Sequence, residues 1–282
     1  MSRRSPAKPA RETPLELQGR VLIIAGSDNS GGAGIQADIK AVTASGGYAM
    51  TAITAITVQD TTGVQGVFPV PGDVVLAQVE TALADIGADA IKTGMLAEAK
   101  LIERVADSLS SLTPNAARII DPVMVATSGD RLVERDSVQA LASNLIPRAS
   151  LVTPNAPEAE ILTGRAVETV DGQRRAAEAL LEKGALAALV KGGHLGADRL
   201  TDVLQTHHGE WIFESNRINT TNTHGTGCTL ASAISAYIAL GKAMPDAVEA
   251  ARDYLIKAIE TAPGFGRGHG PVNHGWPLMR QT

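Results

Sequence analysis

With 282 residues, 44% of them hydrophobic and 20% charged, the chain has the size and balance to bury a substantial core. A formal net charge of −5 argues against nucleic acid or an anionic membrane as the main partner, because both demand basic surface. A single cysteine forms no intrachain disulfide and no apolar run reaches the roughly 20 residues of a bilayer span, so a reducing, cytoplasmic setting is expected.

Met1 to Gly19 is rich in Arg, Pro and Glu and has no hydrophobic period. It lacks the apolar core of a signal peptide, and Glu12 and Glu16 speak against a transit peptide. A disordered extension over 1–19 is expected, followed by one domain over 20–282. Val21-Leu22-Ile23-Ile24-Ala25-Gly26 is wholly apolar and reads as a strand buried on both faces. Ser27 to Gly34 is a turn rich in glycine and Asx residues, and Ile35, Ile39 and Val42 then fall at helical spacing. Thr51 to Val58 is β-branched and predicts a strand, with a shorter, more exposed one over Gly63 to Val70. Val74 to Ile86 predicts a helix whose apolar face carries Leu76, Val79, Leu83 and Ile86.

Further strands are expected at 90–91, 118–120, 151–152 and 186–190, and helices at 98–110, 136–144, 157–162 and 172–183. A hairpin follows, Leu200 to Gln205 and Trp211 to Glu214 joined through His207-His208-Gly209, and helices over 225–240 and 245–260 finish the pattern. Strand and helix alternate with short connections, which predicts a mainly parallel sheet covered by helices on both sides. Ligands of such sheets bind at the carboxyl ends of the strands.

Those ends are polar. Asp28 follows Gly26, and Gln59 and Asp60 follow Val58; Lys92 follows Ile91, and Asp121 follows Ile120. Asn155 and Glu158 follow Val152, and Lys191-Gly192-Gly193-His194 follows Val190. Each has a plain structural reading as well: an Asx-turn for Asp28, turn chemistry for Asp121-Pro122, a surface position for Lys191. For Asn155-Ala156-Pro157-Glu158 that reading is a helix start capped by Asn155 with Glu158 reaching back. Asp38 borders the Ile35/Ile39/Val42 stripe, so its carboxylate needs a partner: a ligand amine, a nearby Thr or a backbone N–H.

The stretch Asn222-Thr223-His224-Gly225-Thr226-Gly227-Cys228-Thr229 precedes a helical run. It reads either as an ordinary loop with Thr226 as the helix cap, or as an anion site of backbone amides on the positive end of a helix. Together these ends suit phosphoryl transfer, which needs positioning and charge neutralisation more than covalent help. Asp121 and Glu158 would hold Mg²⁺, Lys191 would neutralise a phosphate, and the amides of Gly225, Thr226 and Gly227 would stabilise developing charge. Cys228 at a helix N-terminus is expected to have a lowered thiol pKa, and either accepts a substrate proton, lines the phosphate site or packs as a small apolar residue. No Walker-type P-loop sequence occurs.

Taken in order, Ala25-Gly26-Ser27-Asp28, Ser30 to Asp38, Lys92-Thr93-Gly94-Met95-Leu96, Asp121-Pro122-Val123-Met124, Ser128-Gly129-Asp130, Thr153-Pro154-Asn155, Lys191 to His194, Asn222 to Cys228 and Gly268 to His274 resemble the hydroxymethylpyrimidine and phosphomethylpyrimidine kinases of thiamin biosynthesis. The resemblance implies a ribokinase-like three-layer α/β/α fold, ATP and Mg²⁺, and a homodimer. It also implies two successive phosphorylations of 4-amino-5-hydroxymethyl-2-methylpyrimidine. It assigns Gln59, Asp38, Gly26 and Met95 to the pyrimidine and Asn155, Lys191 and Thr223 to the nucleotide. Asp121 and Glu158 go to the metal. In the wider ribokinase group an Asp follows the Gly-x-Gly as base; here Cys228 stands there, as in the pyrimidine kinases. Two other functions compete: a pyridoxal or pyridoxine kinase of the same fold, and a non-catalytic pyrimidine-binding regulator. The Gln59 amide, which both donates and accepts, suits an aminopyrimidine edge better than a phenolic oxygen.

Overall fold

The computed structural model describes residues 19–124, 134–193 and 199–279. The expected extension up to residue 18, the Ser128-Gly129-Asp130 motif and His194 lie outside the described residues. In chain order the first half contains β1 (Arg20–Asp28), α1 (Gly34–Ala44), β2 (Tyr48–Asp60), β3 (Gly63–Pro69), α2 (Gly72–Asp85), β4 (Ala90–Thr93), α3 (Ala99–Leu112) and β5 (Ala117–Ile120). The second contains α4 (Arg135–Ala140), β6 (Leu151–Val152), α5 (Ala156–Thr163), α6 (Val170–Glu182), β7 (Ala187–Val190), β8 (Arg199–Thr206), β9 (Gly209–Asn216), α7 (Thr226–Ala239) and α8 (Met244–Glu260).

All strands join one sheet in the order β3-β2-β1-β4-β5-β6-β7-β8-β9. β2, β1, β4, β5, β6 and β7 are parallel, while β3 pairs antiparallel with β2 at one edge and β7, β8 and β9 pair antiparallel in turn at the other. The apolar run of β1 is buried because both its faces are covered. Leu22 and Ile24 enter one core with Val75 and Val79 of α2, Val105 of α3 and Leu180 of α6. Val21, Ile23 and Ala25 enter the other with Val42 of α1, Ile234 of α7 and Val248 of α8. The result is a three-layer α/β/α fold around a mostly parallel sheet. Among the described residues, no helix is long and apolar enough to cross a membrane.

Three details differ from the sequence reading. β1 runs on through Ser27 and Asp28 instead of ending at Gly26, because Thr57 Oγ1 donates to Ser27 O at 2.7 Å and the ladder resumes after a bulge between Ala25 and Ser27. The stripe of α1 is rotated: Ile39 is 39% exposed, and Ile35, Asp38, Ala41 and Val42 face inward. Helix α4 stops at Ala140 and passes into a single π-helical turn, Leu141–Leu145, so the expected 136–144 helix is not uniform.

The strand order places β1 between β2 and β4, so after building β2 and β3 on one side of β1 the chain crosses back to add β4 and later strands on the other. That switch point opens a crevice at the carboxyl ends of the strands.

Candidate active site

One cleft of about 680 Å³ opens at that crevice, and every sequence-predicted site residue except Asp38 lines it. At its centre is the first turn of α7. Gly225, not Thr226, occupies the cap position, with φ +76, and no side chain caps the helix. A Cβ on Gly225 would collide with Gly32 O, so both its backbone angle and its close approach require glycine. Thr226 is the first helical residue; its hydroxyl donates to Thr223 O at 3.1 Å and its amide is turned toward the same oxygen at 3.4 Å. Of the expected amide trio, Thr226 N is thus drawn toward Thr223 O, and in the uncapped first turn the N–H groups of Gly227 and Cys228 are left without an intrahelical acceptor beside the cleft. A Cβ on Gly227 would stand 3.5 Å from Lys191 Nζ and 3.9 Å from Asp121 Oδ2, so the glycine faces the charged wall opposite.

That wall comes from the ends of β5, β6 and β7. Lys191 Nζ lies 3.4 Å from Asp121 Oδ1, which also accepts from Thr153 Oγ1 at 2.9 Å. Burial lowers the affinity of Lys191 for its proton, but Asp121 and Glu158 outweigh it and hold the ammonium above its ordinary value. The Asn155 start of α5 forms a full capping box: Glu158 N donates to Asn155 Oδ1 at 2.9 Å, and Asn155 N donates to Glu158 Oε2 at 2.8 Å. The capping reading thus holds for Asn155, and it commits Oδ1 of that side chain to the helix. Burial pushes the Glu158 carboxyl up to about 7, against the pull of Lys191 and with the push of Asp121. The buried carboxylates of Asp121 and Glu158, with Lys191 beside Asp121, are oxygen donors of the kind a hard divalent cation uses alongside phosphate oxygens. Among the described residues, no group of three or more His, Cys, Asp or Glu side chains gathers for a metal.

On the other side of α7 the cleft is bounded by the end of β1 and by the β2–β3 ribbon. Met95 packs on Gly26, where a Cβ would come within 2.6 Å of its methyl carbon, and Thr54 Oγ1 donates to Met95 O at 2.6 Å. Gln59 lies within β2 rather than after it, and its backbone N–H donates to Asn29 Oδ1 at 2.9 Å, which ties the ribbon to the loop after β1. Thr223 Oγ1 is 3.3 Å from His269 Nδ1.

Two expectations are corrected. Asp38 does not face the cleft: it is 0% exposed and its partners are Lys92 and Ser232. Cys228 is not an activated thiol. Burial pushes it up to about 12; Lys92 pulls it down and Asp38 and Asp121 push it further, opposite to the expected lowering.

The sequence reading missed His224. Its Nε2 lies 2.8 Å from Asp28 Oδ2, and the same carboxylate accepts from Ser30, Gly32 and Ala33 amides. Asp28 does form the expected Asx-turn, but it also ties the loop after β1 to the glycine loop. The pair is 196 residues apart in sequence, and only the glycines flanking both partners hinted at close backbone approach.

A family model described as phosphomethylpyrimidine kinase matches residues 28–273. The hydroxymethylpyrimidine/phosphomethylpyrimidine kinase of Streptomyces coelicolor is 43% identical over 266 residues, covering 94% of this chain and 98% of that protein. The thiamine biosynthesis bifunctional protein ThiED of Geobacter sulfurreducens is 46% identical over 91% of this chain, and the chain spans 52% of that longer protein. Among solved structures, an ADP complex of Bacillus subtilis pyridoxal kinase superposes with a TM-score of 0.85 at 37% identity, covering 92% of this chain and 98% of that one. A phosphomethylpyrimidine kinase from Clostridium difficile 630 superposes with a TM-score of 0.76 at 38% identity, covering 85% and 99%. The matches run through the strand ends and the glycine loop that build the cleft, and the chain belongs to the phosphomethylpyrimidine kinase family.

Proposed function

We propose that the chain transfers the γ-phosphoryl group of ATP first to 4-amino-5-hydroxymethyl-2-methylpyrimidine and then to the resulting monophosphate. The observation that carries this reading is the uncapped first turn of α7 facing Lys191 and Asp121 across the cleft, with Gln59 and Met95 on the other side. In each step a substrate oxygen adds to the γ-phosphorus as the bond to the bridging oxygen breaks and ADP leaves; in the first step the alcohol proton passes to an oxygen of the transferred phosphoryl group. The Gly227 and Cys228 amides stabilise charge on the transferred group, and Lys191 neutralises the phosphates. Asp121 and Glu158 would hold Mg²⁺, which neutralises and orients the phosphate oxygens. Asn155 shapes the nucleotide side mainly as a helix cap, with Thr223 on the glycine loop opposite.

A thiolate base is not required by this chemistry. The transition state is largely dissociative, and the second acceptor, a phosphate monoester with a second pKa near 6, is already ionised at neutral pH. Cys228 lines the anion site as a neutral thiol. Gln59, Gly26 and Met95 form the pyrimidine side. The outer face of the β2–β3 ribbon, with Ile56, Val58 and Phe68 exposed, offers an apolar surface for the homodimer the resemblance implies.

A second reading, phosphorylation of pyridoxal, is favoured by the close superposition on the pyridoxal kinase. An ATP-consumption assay with the pyrimidine, its monophosphate and pyridoxal separates the two. Gln59→Ala is expected to weaken pyrimidine binding by about 1–3 kcal/mol with ADP affinity unchanged. Unchanged pyrimidine affinity would remove Gln59 from the site.

A further inference from the structure

Beneath the floor of the cleft three polar side chains from three elements meet with no access to solvent. Lys92 Nζ, from β4, lies 3.0 and 2.9 Å from the two carboxylate oxygens of Asp38 on α1. Ser232 Oγ, from α7, donates to Asp38 Oδ1 at 2.7 Å. All three residues are 0% exposed. Gly94 closes over the pair, since a Cβ there would stand 3.0 Å from Lys92 Nζ. Ser232 is one helical turn beyond Cys228 and on the same face of α7, so the ion pair lies under the turn whose amides line the cleft.

Packing gives no reason for charge at this place. Taking both partners out of water is costly, and apolar residues of similar volume often serve stability as well or better. The location does give one. A helix N-terminus already carries partial positive charge, and a buried ammonium behind it adds to the field at the amides through a dry wall of low dielectric. Burial disfavours the ammonium, but Asp38, joined by Asp121, holds Lys92 protonated. Gly94 lines the cleft and Asp38 does not, and a Cβ on Gly94 would meet Lys92 Nζ, so the ammonium is the end of the pair that lies against the cleft floor.

We propose that Lys92 is a positioning residue for phosphoryl transfer: its buried ammonium, held by Asp38 and Ser232, strengthens the anion site formed by the first turn of α7. This rests on the kinase reading of the cleft. Lys92 touches no substrate and acts through the Gly227 and Cys228 amides.

The test is the uncharged double variant Lys92→Met with Asp38→Asn, compared with Lys92→Met alone. The single change strands a buried carboxylate and is expected to lower the melting temperature strongly; the double change should restore most of it. In the double variant kcat is expected to fall about tenfold or more with both KM values within about threefold. ADP affinity should be unchanged, while the gain in ADP affinity on adding aluminium fluoride, a mimic of the transferred group, should shrink about tenfold. Recovery of both melting temperature and kcat would show a purely structural pair and overturn the proposal. A parallel loss of ADP affinity would show a distorted site and overturn it too. Ser232→Ala provides a milder check that removes one donor from Asp38; it should lower kcat with KM unchanged, and an unaltered kcat counts against the proposal. Wild-type turnover is measured first: its absence overturns the kinase reading, whereas normal turnover in the double variant overturns only the role of Lys92.

Discussion

Gly225 and Gly227 look equivalent in sequence and do different things. Gly225 carries the positive φ and the contact with Gly32 O, so a side chain there disrupts the loop itself. Gly227 has ordinary helical backbone, and a Cβ there would only touch Lys191 Nζ at 3.5 Å, so a side chain there fills the anion site instead. Gly227→Val should therefore fold with a near-native melting temperature, bind the pyrimidine and lose turnover by about a hundredfold or more. A thermal scan with single-turnover kinetics checks this, and retained turnover would remove the amides from the mechanism. Cys228 leads to an equally sharp expectation. A thiol pushed up to about 12 by burial stays protonated from pH 6 to 9. Single-turnover rates should then show no thiol titration in that range, and Cys228→Ser should keep most of the activity. A pronounced thiol limb, or a loss near the 10²–10⁴-fold expected for a missing general base, would reinstate Cys228 as the base.

The elements that hold this turn are α7 and the segment after α8. Thr229 Oγ1 donates to Gly225 O at 2.8 Å and lies 2.9 Å from His274 Nε2, and Tyr254 of α8 donates to His274 O at 2.8 Å. Burial, followed by the charges of Lys40 and His224, pushes the His274 imidazole down to about 4. The sign follows from linkage: the unfolded chain takes up a proton near 6.5 and the folded one only near 4. The stability contributed by neutral His274 is thus complete above about pH 6.5 and lost as pH falls toward 4, on the order of 3 kcal/mol. Denaturant midpoints between pH 4 and 7 should drop for the wild type and flatten for His274→Gln; equal slopes would show that another group controls acid unfolding. The ribbon supports a separate expectation. Phe68 is 60% exposed on its outer face beside Ile56 and Val58, so Phe68→Lys should shift sedimentation toward a monomer. A wild type that sediments as a monomer, or a dimer indifferent to the change, would place the interface elsewhere or dismiss it.

For the molecule as a whole, the strands and helices were readable because burial and capping leave local marks: the apolar run of β1, the helical run after the glycine loop, the Asn155 and Glu158 cap. What was not readable depended on partners distant in sequence. Asp38 is inward because α1 is rotated by one position, and its partner Lys92 is 54 residues away. His224 finds Asp28 only because the sheet brings the two glycine loops together, and the Cys228 thiol is governed by burial that no helix-terminus rule contains. The central claim is that this one cleft phosphorylates both the pyrimidine alcohol and its monophosphate. Phosphorus NMR of ATP mixed with each acceptor and the purified chain tests it most directly. The account predicts the monophosphate and then the diphosphate signal from the alcohol, the diphosphate alone from the monophosphate, and neither with Gly227→Val. Turnover of pyridoxal with both pyrimidines left unchanged would contradict it.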